Sequence, residues 1–113
     1  MIRRIEKPWG EEILFAHTER YAGKILRILK GESLSLQYHR LKEESLYVQA
    51  GRIILEVEIA GRLEKKTLGP GEAWHLPPGT KHRMEAVEDA TLFEVSTPEL
   101  DDVVRLEDRY GRA

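Results

Sequence analysis

The chain reads as all-β, a single small barrel or sandwich of antiparallel strands, and three observations lead there. Segments rich in Ile, Val, Leu, Tyr and Phe, mostly four to nine residues long, alternate with Gly and Pro punctuation. No stretch before Pro98 keeps a helical apolar period. Polar side chains suited to metal ligation recur at strand spacing rather than on one face of a helix. In order, Lys24–Leu29 lies between the turn residues Gly23 and Gly31, and Ser33–His39 follows the second of these. Ser45–Ala50 ends at Gly51, Arg52–Ile59 runs to Gly61, and Leu63–Leu68 stops before Pro70-Gly71. Ala73–Leu76 precedes the Pro-Pro-Gly turn ending at Gly79, His82–Ala86 leaves it, and Thr91–Ser96 stops before Pro98. The short, evenly spaced strands predict a barrel core over about residues 22–97 of one domain spanning 1–113. A tail or weak helix is expected over Glu99–Tyr110, which has acids near its start and Arg near its end.

Length and charge narrow the classes of function. At 113 residues the chain suffices for one core and not two. Its formal net charge is −2 with both signs interspersed, so neither a basic stripe for nucleic acid nor a charged tail is present. No apolar run has the length of a membrane span, and Met1-Ile-Arg-Arg-Ile-Glu lacks a signal-peptide core, so the expected location is the cytoplasm. Cysteine is absent, which removes disulfides and thiolate ligands. Asparagine is absent as well, and charged residues make up 34%, a pattern that predicts a thermophilic protein.

Two stretches carry the chemistry. Gln37 and His39 sit two apart, on one face of a strand, and Glu44 follows five residues later. His82 comes just after the Pro77-Pro78-Gly79 turn. One amide oxygen, two imidazoles and one carboxylate form a four-ligand set for a divalent metal in the mouth of a barrel. Glu43 competes with Glu44 for the carboxylate position, and spacing to Gly51 together with shared parity with Leu46 and Val48 selects Glu44. His75, of opposite parity to an inward Trp74, is read as a non-ligand, and His17 as a solvated loop residue. Glu94 lies between apolar residues and is a candidate general base facing the interior. In Ser33–His39 the polar residues share one face and Leu34, Leu36 and Tyr38 the other. If Gln37 and His39 point inward, the Leu-Leu-Tyr face needs a cover, either an N-terminal strand or, more economically, a second subunit in a homodimer.

The same residues resemble the paired motifs of the cupin superfamily. Gly31, position 37, His39, Glu44 and Gly51 fall on its first motif, with Gln37 in place of the first His, and Gly71, Pro77, Gly79 and His82 complete its second. The trailing Asn of that motif is Ala86 here. Within the superfamily, Lys7-Pro-Trp-Gly10, Ser33–His39, Lys81-His-Arg83 and Val104–Arg112 are similar to the C-terminal cupin domain of type II mannose-6-phosphate isomerases. That domain often follows a mannose-1-phosphate guanylyltransferase domain. The resemblance implies a double-stranded β-helix, or jelly-roll barrel, and a pair of basic substrate contacts at Lys24 and Arg83. A Gln-His-Glu-His set also resembles that of the zinc-dependent type I isomerases, which favours Zn²⁺, while Mn²⁺, Fe²⁺, Co²⁺ and Ni²⁺ suit the same donors.

The expected function is therefore metal-dependent aldose–ketose isomerisation of a sugar phosphate of the mannose-6-phosphate type. Two other classes fit the same donors: a non-catalytic metal- or sugar-binding cupin, and a non-haem iron oxygenase using two His and one carboxylate. The isomerase domains carry further His residues and an Ala-Glu-His-Trp run where this chain reads Arg40-Leu-Lys-Glu-Glu-Ser-Leu46.

Overall fold

Alternation between buried and exposed side chains organises the whole chain into strands. The computed structural model describes residues 2–113. It contains eleven strands: β1 (Arg3–Lys7), β2 (Gly10–His17), β3 (Ala22–Ile28), β4 (Leu36–Tyr38), β5 (Glu44–Ala50), β6 (Ile53–Ile59), β7 (Arg62–Leu68), β8 (Ala73–Leu76), β9 (His82–Ala86), β10 (Ala90–Ser96) and β11 (Val104–Glu107). They form two antiparallel sheets, β1-β2-β3-β10-β5-β8 and β11-β4-β9-β6-β7. Their inner faces enclose a core of Leu26, Ile28, Leu46, Val48, Ile53, Leu55, Val57, Leu76, Met84 and Leu92.

In β6, Ile53, Leu55 and Val57 are buried while Ile54, Glu56 and Glu58 are partly exposed, which is the two-residue period of a strand with one wet face. Gly51 turns β5 into β6 at φ +80°, and a Cβ there would stand 2.2 Å from the Asp89 carbonyl oxygen, so only glycine fits. Removing a side chain such as Leu92 from this interior is expected to cost about 2–5 kcal/mol.

The structure departs from the sequence reading at the ends. The Glu99–Tyr110 segment is not helical: Leu100–Asp101 turn, and β11 pairs antiparallel with β4. Val103 and Val104 give this segment strand character, and β4 offers it an unpaired edge. At the other end, β1 and β2 extend the first sheet beyond the expected core. The Ser33–His39 strand shrinks to Leu36–Tyr38, with an isolated bridge between Ser33 and Glu85. Because regular pairing is that short, strict parity fails: Ser33, Ser35 and Leu36 are all buried, and Leu34 packs on the core. Within one chain Leu36 is 7% exposed, while Leu34 and Tyr38 are half-buried. Part of the cover is the C-terminal segment, whose Arg109 donates to the Gly31 carbonyl and whose Tyr110 hydroxyl donates to Glu32.

Candidate metal centre

Three strands place a polar residue at a position their pattern reserves for the core. His82 precedes Met84 and Ala86 on the buried face of β9, Glu44 precedes Leu46 and Val48 on β5, and Glu94 follows Leu92 on β10. Their exposures are 1%, 3% and 6%. Burying such groups is costly unless they are paired, and here they meet. His39 Nε2 lies 3.0 Å and His82 Nε2 3.3 Å from Glu44 Oε1. One donor atom from each of His39, Glu44 and His82 fits within a 4.8 Å group that can hold a metal ion.

The other nitrogen of each ring decides what stands between them. His39 Nδ1 donates to the Asp102 carbonyl at 2.6 Å, and His82 Nδ1 donates to the Thr80 carbonyl at 2.9 Å. With those protons on Nδ1, each neutral ring presents its Nε2 lone pair to the carboxylate, acceptor against acceptor. His82 Nε2 is buried and has no hydrogen-bond partner. A divalent cation accepts all three lone pairs at once, and ligating imidazoles characteristically donate their second N–H to a carbonyl in this way.

Local structure aims the two rings. Gly79, at φ +82° in the Pro-Pro-Gly turn, donates its N–H to the His39 carbonyl at 2.6 Å, tying the two histidine segments together. Asp102 fixes the loop after His39, its carboxylate accepting from the backbone N–H groups of Arg40, Leu41 and Lys42 at 3.0, 2.7 and 2.9 Å. Those donors push its pKa down to about 2.

Lys42, which the sequence reading did not single out, lies within this loop. It is 5% exposed, with Nζ 3.4 Å from Glu44 Oε2. Burial alone lowers its pKa, but the Glu44 and Glu94 carboxyls outweigh that and keep it an ammonium. Burial likewise works to raise Glu44, yet its contacts with His39 and His82 and the Lys42 charge hold it well below the usual carboxylate range. Glu94 goes the other way: burial, then the neighbouring Glu44 charge, push it up to about 8. The two buried carboxyls thus have opposite protonation at neutral pH.

The cluster opens into a cavity of ≈ 830 Å³ whose wall includes Gln37, Lys24, Glu94 and Arg105. Gln37 stands opposite His82 across the β4–β9 pair, with its Oε1 accepting from Ser35 at 2.7 Å. A second lone pair is left on that oxygen. Lys24 reaches the cavity and pairs with Glu12 at 3.3 Å. Arg83 does not reach it. As the neighbour of inward His82, it projects from the opposite face of β9, where it pairs with Glu56 and Glu107 at 2.9 and 3.3 Å. The expectation that it contacts a substrate in this cavity is corrected accordingly. His75 is exposed and pairs with Glu43. His17 ends β2, where its Nε2 donates to the Pro98 carbonyl at 3.1 Å. Nothing in the local sequence marks Asp102 or Lys42, because both act through a loop and a distant segment.

The cupin domain family matches residues 24–96. This chain belongs to the cupin family. The cupin is 40% identical to mannose-1-phosphate guanylyltransferase ManC of Salmonella typhimurium over 99% of its own length and 24% of that protein. It is 37% identical to a mannose-1-phosphate guanylyltransferase of Escherichia coli, over 97% of this chain and 23% of the relative. The chain thus spans about a quarter of the curated relatives it matches. Among solved structures, KdgF from Halomonas sp. superposes with a TM-score of 0.74 at 24% identity, covering 89% of this chain and 88% of that one. Oxalate decarboxylase from Bacillus subtilis gives a TM-score of 0.81 at 19% identity, over 99% of this cupin and 32% of that chain. At these identities the likeness establishes the fold.

Proposed function

We propose that this cupin binds one divalent metal through His39, Glu44 and His82, with Gln37 alongside, and isomerises a sugar phosphate of the mannose-6-phosphate type. The observation that carries the reading is the buried convergence of two imidazole Nε2 atoms on one Glu44 oxygen, with His39 and Glu44 on the wall of a sugar-sized cavity. Support also comes from relatives whose names concern mannose phosphates. The resemblance to type I isomerases makes Zn²⁺ the preferred ion.

Aldose–ketose isomerisation moves a proton between adjacent carbons through an enediol. When bound, the metal supplies Lewis-acid stabilisation of the charge that develops on the sugar oxygens. The chain's own residues supply the rest. Glu94 is the group that carries the proton: its ionised fraction, which grows as pH rises towards about 8, takes it from one carbon, and the carboxyl so formed returns it to the neighbour. A carboxyl raised to about 8 by burial is a strong enough base for this task. Lys42 holds Glu44 Oε2, leaving Oε1 toward the imidazoles.

Metal analysis of protein purified without added metal, followed by turnover of mannose 6-phosphate in deuterated water, tests the proposal. Stoichiometric metal and deuterium incorporation at the carbon that receives the proton are expected. Glu94→Gln should retain metal and lose turnover. Bound metal with no turnover of mannose 6-phosphate or fructose 6-phosphate moves the function to a binding module. The Arg40–Leu46 run, which lacks the extra His and Trp of the isomerase domains, favours that second reading.

A further inference from the structure

We propose that Arg105, on the last strand, recognises the phosphate group of a sugar phosphate in the cavity. This rests on the sugar-phosphate reading above and adds the residue that selects the charged end of the ligand. Arg105 lies opposite Gln37 in the β11–β4 pair, Gln37 opposite His82 in β4–β9, and His82 opposite Val57 in β9–β6. Directly opposed residues of an antiparallel pair share a face. The row Arg105, Gln37, His82, Val57 therefore runs along the inner face of the sheet, with Arg105 at its outer end. Arg105 lines the cavity that His39 and Glu44 also line.

The other deep cations of this cavity are committed. Lys24 pairs with Glu12 at 3.3 Å, Lys42 with Glu44 at 3.4 Å, and Arg112 with Asp108 at 2.9 Å. Among the described residues Arg105 makes no ion pair, and its Nε is buried without a hydrogen-bond partner. A buried guanidinium N–H left unmade is unfavourable, and an anion repairs it. The planar fork of arginine matches two phosphate oxygens at once.

The first sheet adds two more cations to the wall of this cavity. β1 is an edge of the other sheet, and Arg3 and Lys7 share a face of it that also lines the cavity. Neither makes an ion pair among the described residues. Glu99 and Asp101 stand on the same wall, so the mouth is not uniformly positive, and selection falls to Arg105 rather than to a diffuse field. A phosphate monoester held here leaves its sugar end directed along the row toward Gln37 and His82. Sequence reading passed over Arg105 because it placed that residue in a tail or helix.

The test is calorimetric titration of the metal-loaded protein with mannose 6-phosphate, mannose and inorganic phosphate, alongside Arg105→Met and Arg105→Lys. Expected is binding of mannose 6-phosphate that weakens about tenfold or more in Arg105→Met and less in Arg105→Lys, which keeps charge but loses the fork. Retained metal content in both variants shows that the metal site is intact. If Arg105→Met does not fold, Arg3→Gln/Lys7→Gln at the exposed side of the mouth is expected to weaken phosphate binding severalfold. Arg105-dependent binding of inorganic phosphate without any binding of mannose 6-phosphate upholds the anion site while removing the mannose reading. Equal affinity of wild type and Arg105→Met for both phosphate probes, or wild-type binding of mannose as tight as mannose 6-phosphate, overturns the proposal.

Discussion

Glu43 and Glu44 are neighbours, and each meets a histidine, but the two pairs do opposite things. Glu43 and His75 meet on the outer face with half of each side chain in water, 51% and 56% exposed. Glu44 and His39 meet inside, at 2% and 6% exposure, and His82 joins them. The outer pair is separated by only 2.5 Å, so distance does not distinguish them. Water does. An exposed pair exchanges one set of good hydrogen bonds for another and contributes about 0–1 kcal/mol. A buried set has no such alternative, so its unsatisfied lone pairs call for a ligand and its charges fix one another's protonation. One residue of register separates the two outcomes, since successive strand residues face opposite sides.

The largest expected contrast is between substitutions at these adjacent glutamates. Glu44→Gln removes the carboxylate and strands the buried Lys42 ammonium, which should cost about 3–5 kcal/mol in the metal-free protein. Denaturant unfolding of Glu44→Gln, with Lys42→Met added to relieve the stranded charge, measures it; a loss below about 1 kcal/mol would show that Lys42 finds water instead.

Next comes pH. Glu94 holds its proton in the folded chain up to about 8, against an ordinary value of 4.5. Across that window the folded state binds a proton the unfolded state has lost, so stability falls as pH rises, by roughly 5 kcal/mol. Glu44 has the opposite sign: its contribution is present above 4.5 and is lost as pH falls through its depressed pKa. Thermal unfolding of chelator-treated protein should show this decline between pH 4.5 and about 8 in wild type and a much flatter curve in Glu94→Gln.

A third contrast sets His82→Ala against His75→Ala. Competition with a chromophoric chelator should show metal affinity reduced at least about 100-fold by the first and unchanged by the second. Equal affinities would mean that the inner cluster is not the metal site. The smallest effects belong to the outer face: Glu43→Gln and Arg83→Ala should each shift stability by no more than about 1 kcal/mol and leave metal content alone.

The strands from Lys24 to Ser96 were legible because Gly and Pro mark their ends and apolar residues mark their faces. The His39, Glu44 and His82 group was legible for the same reason: strand parity and one turn suffice to bring those residues to one side. β1 and β2 lay outside the expected core, and β11 was mistaken for a tail or helix; β1 and β11 are edge strands, which carry weaker alternation and are stabilised by the sheet they join. Arg83 was expected at the site from the resemblance to the isomerase domains, whereas strand parity sends it outward to Glu56 and Glu107.

What the sequence by itself determined was the strand period, the turns and the donor types, all of which follow from local backbone and side-chain chemistry. Only the tertiary structure decided that Asp102 would hold His39 and the following loop, that Lys42 would be buried against Glu44, and that Arg105 would border the cavity. Each of these depends on which distant strands become neighbours. That choice is made by burying a shared apolar core, and no residue announces it locally.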